Sequence, residues 1–330
     1  MAEIELGDEL RRAQIKSWHH YLIALDPLRP QLFRYCRELT GNPWDAEDLV
    51  QETLLKVFAS LSQTMYTLRN PKAYLVRMAT HSWIDRLRTR AVERAAEAAG
   101  KTEAAVHGHS RDTRPDESSQ IRDAAAELMQ RLAPQERAAF LMVEIFETTL
   151  EETAGILGTT VGATKAALHR GRERLKDAES LPPRRARPAP QVLDAFVSRY
   201  NARDLPGLLA LMRDDAEIRM HGFHTEVGRE GFERKGGWFH HNFYSPVDGS
   251  PSKARWERAE VDGEPVILVF GGVVGDESLQ SVMRIEETVG SVSRIFVYAL
   301  CPDVVREVGE RLGIPSQSWG YRFPFDVSGQ

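Results

Sequence analysis

The stretch LEETAGILGTTVGATKAALHRGRERL carries the most legible chemistry in the chain. Lys165, His169, Arg172 and Lys176 recur every three or four residues, with Arg170 and Arg174 beside them and Glu173 as the single acid. On a helix this spacing lines cations along one edge, as a helix lying in a DNA major groove requires. A second group is acidic: Asp45, Asp48 and Glu52 lie opposite an apolar stripe of Val50, Leu54, Val57, Phe58 and Leu61. That face reads either as a solvated surface or as a docking site for a basic partner. A third group, Tyr74, Arg77, His81 and Arg88, mixes a ring, an imidazole and cations along one face, which suits phosphates and unpaired bases. Near the C-terminus, Asp215, His221, His224, Arg284 and Tyr298 are the acid–base candidates. An acid–base site would need one of them raised toward neutral pKa inside an apolar pocket. His240 and His241 are adjacent, so they point different ways on a helix and make a poor metal pair.

The elements that must position these groups follow from local signals. Asn42-Pro43 and Asn70-Pro71 both read as helix starts, an Asn cap followed by Pro at the first helical position. In the second of these helices Val76, Ala79, Trp83 and Leu87 form the apolar stripe. Residues 121–132 and a helix opened by Ala133-Pro134 follow. Residues 151–157 make a short helix, Gly158 its left-handed cap and Thr160 the cap of the next, so the pair reads as a helix-turn-helix. Val161, Thr164, Leu168 and Leu175 are its expected buried stripe.

Beyond residue 192 the pattern changes to two helices and then strands, with Phe196, Val197, Tyr200, Leu208, Leu209 and Met212 as core. Strands are expected over 255–261 and 266–270, flanking an Asp262-Gly263 hairpin turn, and over 279–285 and 292–298. Residues 228–241 read as a helix, and a last helix ends near Gly313.

With 330 residues, 42% of them hydrophobic and 28% charged, the chain is long enough for two or three domains. The net charge of −5 excludes a uniformly basic nucleic-acid binder but not one with segregated charge. Cys36 and Cys301 form no closely spaced pattern, so neither disulfide scaffold, metal nor cofactor is expected. The apolar run 266–275 is too short to span a bilayer, and the acidic N-terminus lacks a signal-peptide core, so no membrane contact and a cytoplasmic location are expected. The boundaries read as 10–95, a linker over 96–119, 120–180, a Pro/Arg spacer over 181–190, 191–300, and a tail over 301–330 that is a candidate regulator.

DAEDLVQETLLKVF (45–58) and YLVRMATHSWIDRLR (74–88) resemble region 2 of the extracytoplasmic-function (ECF) sigma factors, and the helix-turn-helix resembles their region 4. The resemblance covers about residues 10–178. It implies a multidomain fold of two all-α sigma domains. GREGF, VDGEPVILVF and the order of elements are similar to an α+β SnoaL-like (ketosteroid-isomerase-like) cone, the third domain. It also implies a non-enzymatic partner of core RNA polymerase and promoter DNA, regulated by its own cone. Asp45, Asp48, Gln51 and Glu52 would meet the polymerase, and Asn70, Lys72, Tyr74, Arg77, His81 and Arg88 the minus-ten element. His81 stands where the family usually carries asparagine. Lys165, Ala166 and His169 would approach minus-thirty-five bases, with Thr160, Arg170 and Arg172 on phosphates. A small-molecule ligand would meet His221, His224, Trp238, Arg284 and Tyr298 in the cone. Two rival readings stay open: a ligand-sensing helix-turn-helix regulator, and a cone enzyme with an accessory DNA-binding part.

Overall fold

The computed structural model describes residues 2–62, 68–100, 129, 131–176, 188–222, 225–233, 255–273, 276–318 and 320. The chain divides into two compact units: Leu25–Pro183, and a second that joins Met1–Ala24 to Arg184–Gln330. The sequence reading opens its first domain at residue 10, whereas the structure groups the N-terminal helix with the C-terminal unit.

The unit Leu25–Pro183 is helical. α2 (Arg29–Thr40), α3 (Pro43–Ser62) and α4 (Pro71–Gly100) form its first part, after α1 (Ala2–Leu25) of the other unit. Gly41 ends α2 in the left-handed conformation (φ 83°), which glycine adopts without a Cβ penalty. Both Asn-Pro starts are observed: Asn42 Oδ1 accepts from the Asp45 amide at 2.8 Å, and Asn70 Oδ1 from the Ala73 amide at 3.0 Å. Leu32, Leu39, Trp44, Leu49, Leu54 and Trp83 fill the space between the three helices. Several polar groups inside meet one another. Arg29 Nη2 meets Glu47 Oε1 at 2.6 Å, Gln51 Nε2 donates to the same oxygen at 2.6 Å, and the Tyr35 and Thr80 hydroxyls lie 2.6 Å apart.

The second part holds α5 (Pro134–Phe140), a π-helical turn (Leu141–Ile145), α6 (Leu150–Leu157) and α7 (Val161–Lys176). The Glu136 side chain turns back to the Ala133 amide at 3.1 Å, closing the first turn of α5.

In the other unit α8 (Pro190–Asn201) and α9 (Leu205–Ala210) precede a mixed sheet. Its strands are β1 (Met212–Met220), β2 (Thr225–Val227), β3 (Arg255–Val261), β4 (Glu264–Val273), β5 (Asp276–Thr288) and β6 (Ser291–Val297). Their order is β2-β1-β6-β5-β4-β3, with β1 and β6 parallel and the other pairs antiparallel. Of the expected 228–241 helix the structure shows α10 (Gly228–Glu233), and 234–241 lie outside the described residues. α11 (Pro302–Leu312) ends at Gly313 with φ 65°, as expected.

Side-chain alternation gives the sheet two faces. Ile218, Ile267, Met283, Ile285, Ile295 and Val297 join Phe196, Tyr200 and Leu208 in one core. Trp256 of β3 stacks on Tyr200 with centroids 3.3 Å apart and planes at 8°. Asn201, at the end of α8, exchanges two hydrogen bonds with the Trp256 backbone (2.9 and 3.0 Å), which occupies polar groups of an edge strand. This α+β layer is the third domain the sequence implies.

The Asp262-Gly263 turn has φ 53° and 70°, the two-residue hairpin geometry that its sequence signals. The turn between β5 and β6 uses the same geometry at Val289-Gly290 (φ 54° and 78°), yet Val289 is β-branched and 95% exposed. Val289→Asn should therefore stabilise the C-terminal unit by about 1 kcal/mol, since Asn tolerates the left-handed region, and a lower thermal midpoint would contradict this. In the helical unit, Glu47→Ala leaves the Arg29 guanidinium buried without its carboxylate. It should cost about 3–5 kcal/mol in urea unfolding followed by circular dichroism, and a loss below about 1 kcal/mol would show that Arg29 re-pairs.

Candidate nucleic-acid interface

The helix-turn-helix is built from caps. Thr149 and Glu152 form a reciprocal box at the start of α6: the Glu152 amide donates to Thr149 Oγ1 at 3.1 Å and the Thr149 amide to Glu152 Oε2 at 3.0 Å. The Thr149 amide and hydroxyl, both donating to it, hold the exposed Glu152 carboxyl below its usual range. Gly158 turns the chain with φ 62°, and Thr160 Oγ1 accepts from the Ala163 amide at 3.1 Å to start α7. Thr164, Ala167, Leu168 and Gly171 face inward. The expectation for Val161 is corrected: it is 39% exposed, because it stands in the first turn of α7 on the outward side.

Pairing divides the cations of α7. Glu136, itself buried, accepts from Arg170 Nε at 3.1 Å and from Arg174 Nη1 at 2.6 Å, while Arg172 pairs with Glu144. Gly171 between these arginines packs against Glu136 of α5, and a Cβ there would stand in ordinary contact, 3.6 Å from the Glu136 backbone oxygen and Cβ. Arg170 and Arg172, expected on phosphates, are thus engaged by carboxylates. Lys165, Ala166 and His169 are exposed. The Lys176 side chain lies outside the described residues. An apolar groove of about 690 Å³ runs beneath Lys165, His169 and Arg172, lined by Val143, Leu150 and Leu168.

The acidic face of α3 is equally divided. Asp45 and Asp48 are half-buried, and Asp45 Oδ2 accepts from Asn42 Nδ2 at 2.8 Å. Glu52 bridges Arg86 at 2.5 Å and Lys56 at 2.7 Å. Burial pushes the Glu52 carboxyl up, but hydrogen bonds from Lys56 and Arg86 outweigh burial and hold it below its usual range. Gln51, expected on the same face, is 7% exposed and serves the interior through Glu47, because its position on α3 turns it toward Arg29.

On α4, Asn70, Lys72 and Arg77 are exposed. The Tyr74 hydroxyl lies 2.8 Å from Ser60 Oγ, and His81 is half-buried beside Gly158, where a Cβ would stand 3.6 Å from His81 Nε2. The Arg88 side chain lies outside the described residues.

In the sheet unit, His221, Arg284 and Tyr298 come together, though not in the apolar core. Arg284 sits between Met283 and Ile285 and so projects from the opposite face. It meets Glu264 at 3.1 Å and donates to the Tyr298 hydroxyl at 3.4 Å, and the His221 ring stacks on Tyr298 at 4.3 Å. On the same face of this unit, Trp18 of α1 donates to the Gly222 carbonyl at 3.4 Å. A cavity of about 500 Å³ on that outer face is lined by Arg213, Asp215, Glu217, Glu264, Arg284 and Arg294, among others. Asp215 accepts two hydrogen bonds from Arg213 (2.7 and 3.1 Å), which hold its carboxyl below the usual range, the opposite of what an acid–base carboxylate needs. His224 and Trp238 lie outside the described residues. Among the described residues no group of three His, Cys, Asp or Glu is placed to hold a metal.

Sequence reasoning missed Glu136, Glu144 and Arg137. Ala133-Pro134-Gln135-Glu136 signals a helix start, but nothing local says that Glu136 also reaches α7, 34 and 38 residues on.

Two family models match: sigma-70 region 2 over residues 25–92 and sigma-70 region 4 over residues 122–175. α1 precedes both. The chain is 30% identical over 161 residues to the ECF RNA polymerase sigma factor SigD of Mycobacterium tuberculosis, covering 47% of this chain and 74% of SigD. It is also 30% identical over 154 residues to SigE of Mycolicibacterium smegmatis, covering 44% of this chain but 56% of that protein. The crystal structure of Mycobacterium tuberculosis SigJ, an extracytoplasmic function sigma factor, aligns at 19% identity over 83% of this chain and 94% of SigJ, with a TM-score of 0.31. The chain belongs to the ECF sigma factors of the sigma-70 family.

Proposed function

We propose that this protein is an alternative sigma factor that directs promoter-specific transcription initiation by core RNA polymerase, under the control of its own C-terminal domain. The observation that carries the reading is the division of charge on α7. Glu136 and Glu144 hold three arginines of the helix, and Lys165, Ala166 and His169 remain exposed along one edge, as base-edge contact in a major groove needs. In this reading α7 takes the minus-thirty-five element, with Thr160, Arg170 and Arg172 beside the phosphates. Asn70, Lys72, Tyr74, Arg77, His81 and Arg88 take the minus-ten element. Asp45, Asp48 and Glu52 face the polymerase, and Gln51 supports that face from inside.

The polymerase performs the chemistry. The lowered, exposed Asp215 carboxyl is a poor general acid or base, which removes one acid–base candidate from the C-terminal domain. A small molecule acting on that domain would enter the outer cavity beside Arg284. No described helix is long and apolar enough to cross a membrane, and a partner of the polymerase works in the cytoplasm.

In vitro transcription with core polymerase tests the whole reading, and absence of promoter-specific initiation by the full chain would end it. Two substitutions test its parts. Asp48→Lys should weaken core binding roughly tenfold or more, because it sets like charges together, and retained affinity would return that face to ordinary solvated surface. Lys165→Ala should cost about 1–3 kcal/mol of promoter affinity if the side chain reads a base. A uniform loss with a salt slope reduced by about 1 would assign Lys165 to a phosphate instead.

A further inference from the structure

Glu136 of α5 lies buried beneath two cations of α7. Its Oε1 accepts from Arg170 Nε at 3.1 Å and its Oε2 from Arg174 Nη1 at 2.6 Å, while the same Oε2 takes the Ala133 amide at 3.1 Å. The two arginine side chains are 56% and 52% exposed, so an anion arriving from solvent meets them before it meets the carboxylate. Each guanidinium carries five N–H donors in a planar fork, and the bonds to Glu136 use one nitrogen of each. One carboxylate against two guanidinium groups leaves the cluster cationic.

Position on the helix gives this cluster a direction. At about 100° per residue, Arg170 and Arg174 stand about 140° and 180° round α7 from Lys165. Between the two rows of cations runs an exposed strip of Gly162, Ala166 and Glu173. A helix about 10–12 Å across fills a major groove about 12 Å wide, so its two flanks approach the two phosphate walls while the strip between them faces the base edges. Lys165, His169 and Arg172 occupy one flank, and Arg170 and Arg174 the other. This placement in the groove rests on the function proposed above.

We infer that Arg174 is a further DNA-phosphate contact, paired with Arg170 on the second wall of the groove, and that Glu136 sets both side chains for it. Glu136 touches no DNA in this assignment and is a positioning residue. An arginine that is free in solution gives up rotamer freedom when it binds a phosphate, whereas these two are already fixed by a carboxylate that a phosphate need not displace. Their remaining N–H groups point the charge outward, and charge-assisted bonds to phosphate oxygens take those groups.

Fluorescence anisotropy of the full chain on a labelled duplex of random sequence, titrated between about 50 and 200 mM salt, tests both parts. Arg174→Met should weaken binding and reduce the slope of log affinity against log salt by about 1, and a parental slope overturns the contact. Glu136→Gln keeps a side chain that can still serve the Ala133 amide, and it should weaken binding about fivefold in the parent background but leave Arg174→Met nearly unchanged. An equal effect in both backgrounds overturns the positioning role, and so does a rise in affinity, the mark of a carboxylate that only competes with phosphate. Where Glu136→Gln loses its helical circular dichroism, Arg174→Lys decides: it keeps the charge but not the fork, so binding should weaken several-fold at an unchanged slope, and parental affinity overturns the role. Promoter-specific initiation with core polymerase is measured alongside. Initiation by the parent with a parental slope in Arg174→Met removes this assignment and keeps the sigma reading. A slope reduced by about 1 with no initiation by the parent does the reverse.

Discussion

An ionised side chain cannot stay inside a protein without a partner, and this constraint sets each joint of the helical unit. Charged groups fall at the contacts between the helices. Glu47 is fully buried and is met by Arg29 and Gln51, which fastens α2 to α3. Glu136 is buried and is met by Arg170 and Arg174, which fastens α5 to α7. Arg137, one residue on, is buried the other way, against Leu39 and Trp83. Neighbouring residues of one short helix thus fix the pitch of α7 and join the two helical parts. Pairing in these places is costly to break, because removing one partner strands the other.

The same constraint decides which charges remain for ligands. A cation held by a buried carboxylate is a component of the fold first. Arg170 and Arg174, each more than half exposed, are tied to Glu136 from the same exposed side of α7 on which Lys165 and His169 stand. On α3 the acids divide likewise: Glu52 is bridged by Arg86 and Lys56, and Asp45 belongs to a helix cap. An interface drawn from every charged residue on a helical face would therefore overcount it.

The sheet unit is organised by stacking and alternation. Tyr200 and Trp256 join α8 to the edge strand β3, and Asn201 holds the backbone beside them. Alternation along β5 then places Arg284 on the face opposite this core, next to Tyr298 and His221. Three of the expected pocket residues, His221, Arg284 and Tyr298, do meet, on the face opposite the Phe196 and Tyr200 core and with Arg284 and Tyr298 buried.

Local signals carried much of this protein in the sequence. The two Asn-Pro starts, the Thr149 and Thr160 caps, Gly41 and Gly158 at helix ends, the Asp262-Gly263 hairpin and the last helix to Gly313 each depend on residues within a few positions of one another, so their physics is written in order along the chain. The α+β character of the C-terminal block was legible for the same reason, since period-two patterning is local. What only the tertiary structure decided are the contacts between distant residues: Glu136 with α7, Arg137 with Leu39 some 98 residues away, Gln51 turned inward, Val161 turned outward, and α1 grouped with the sheet. Sequence determines which side chains carry charge and how each helix is capped. Which charges face each other follows from how helices pack, and that is set by the sum of many weak contacts, none of which is marked in the sequence.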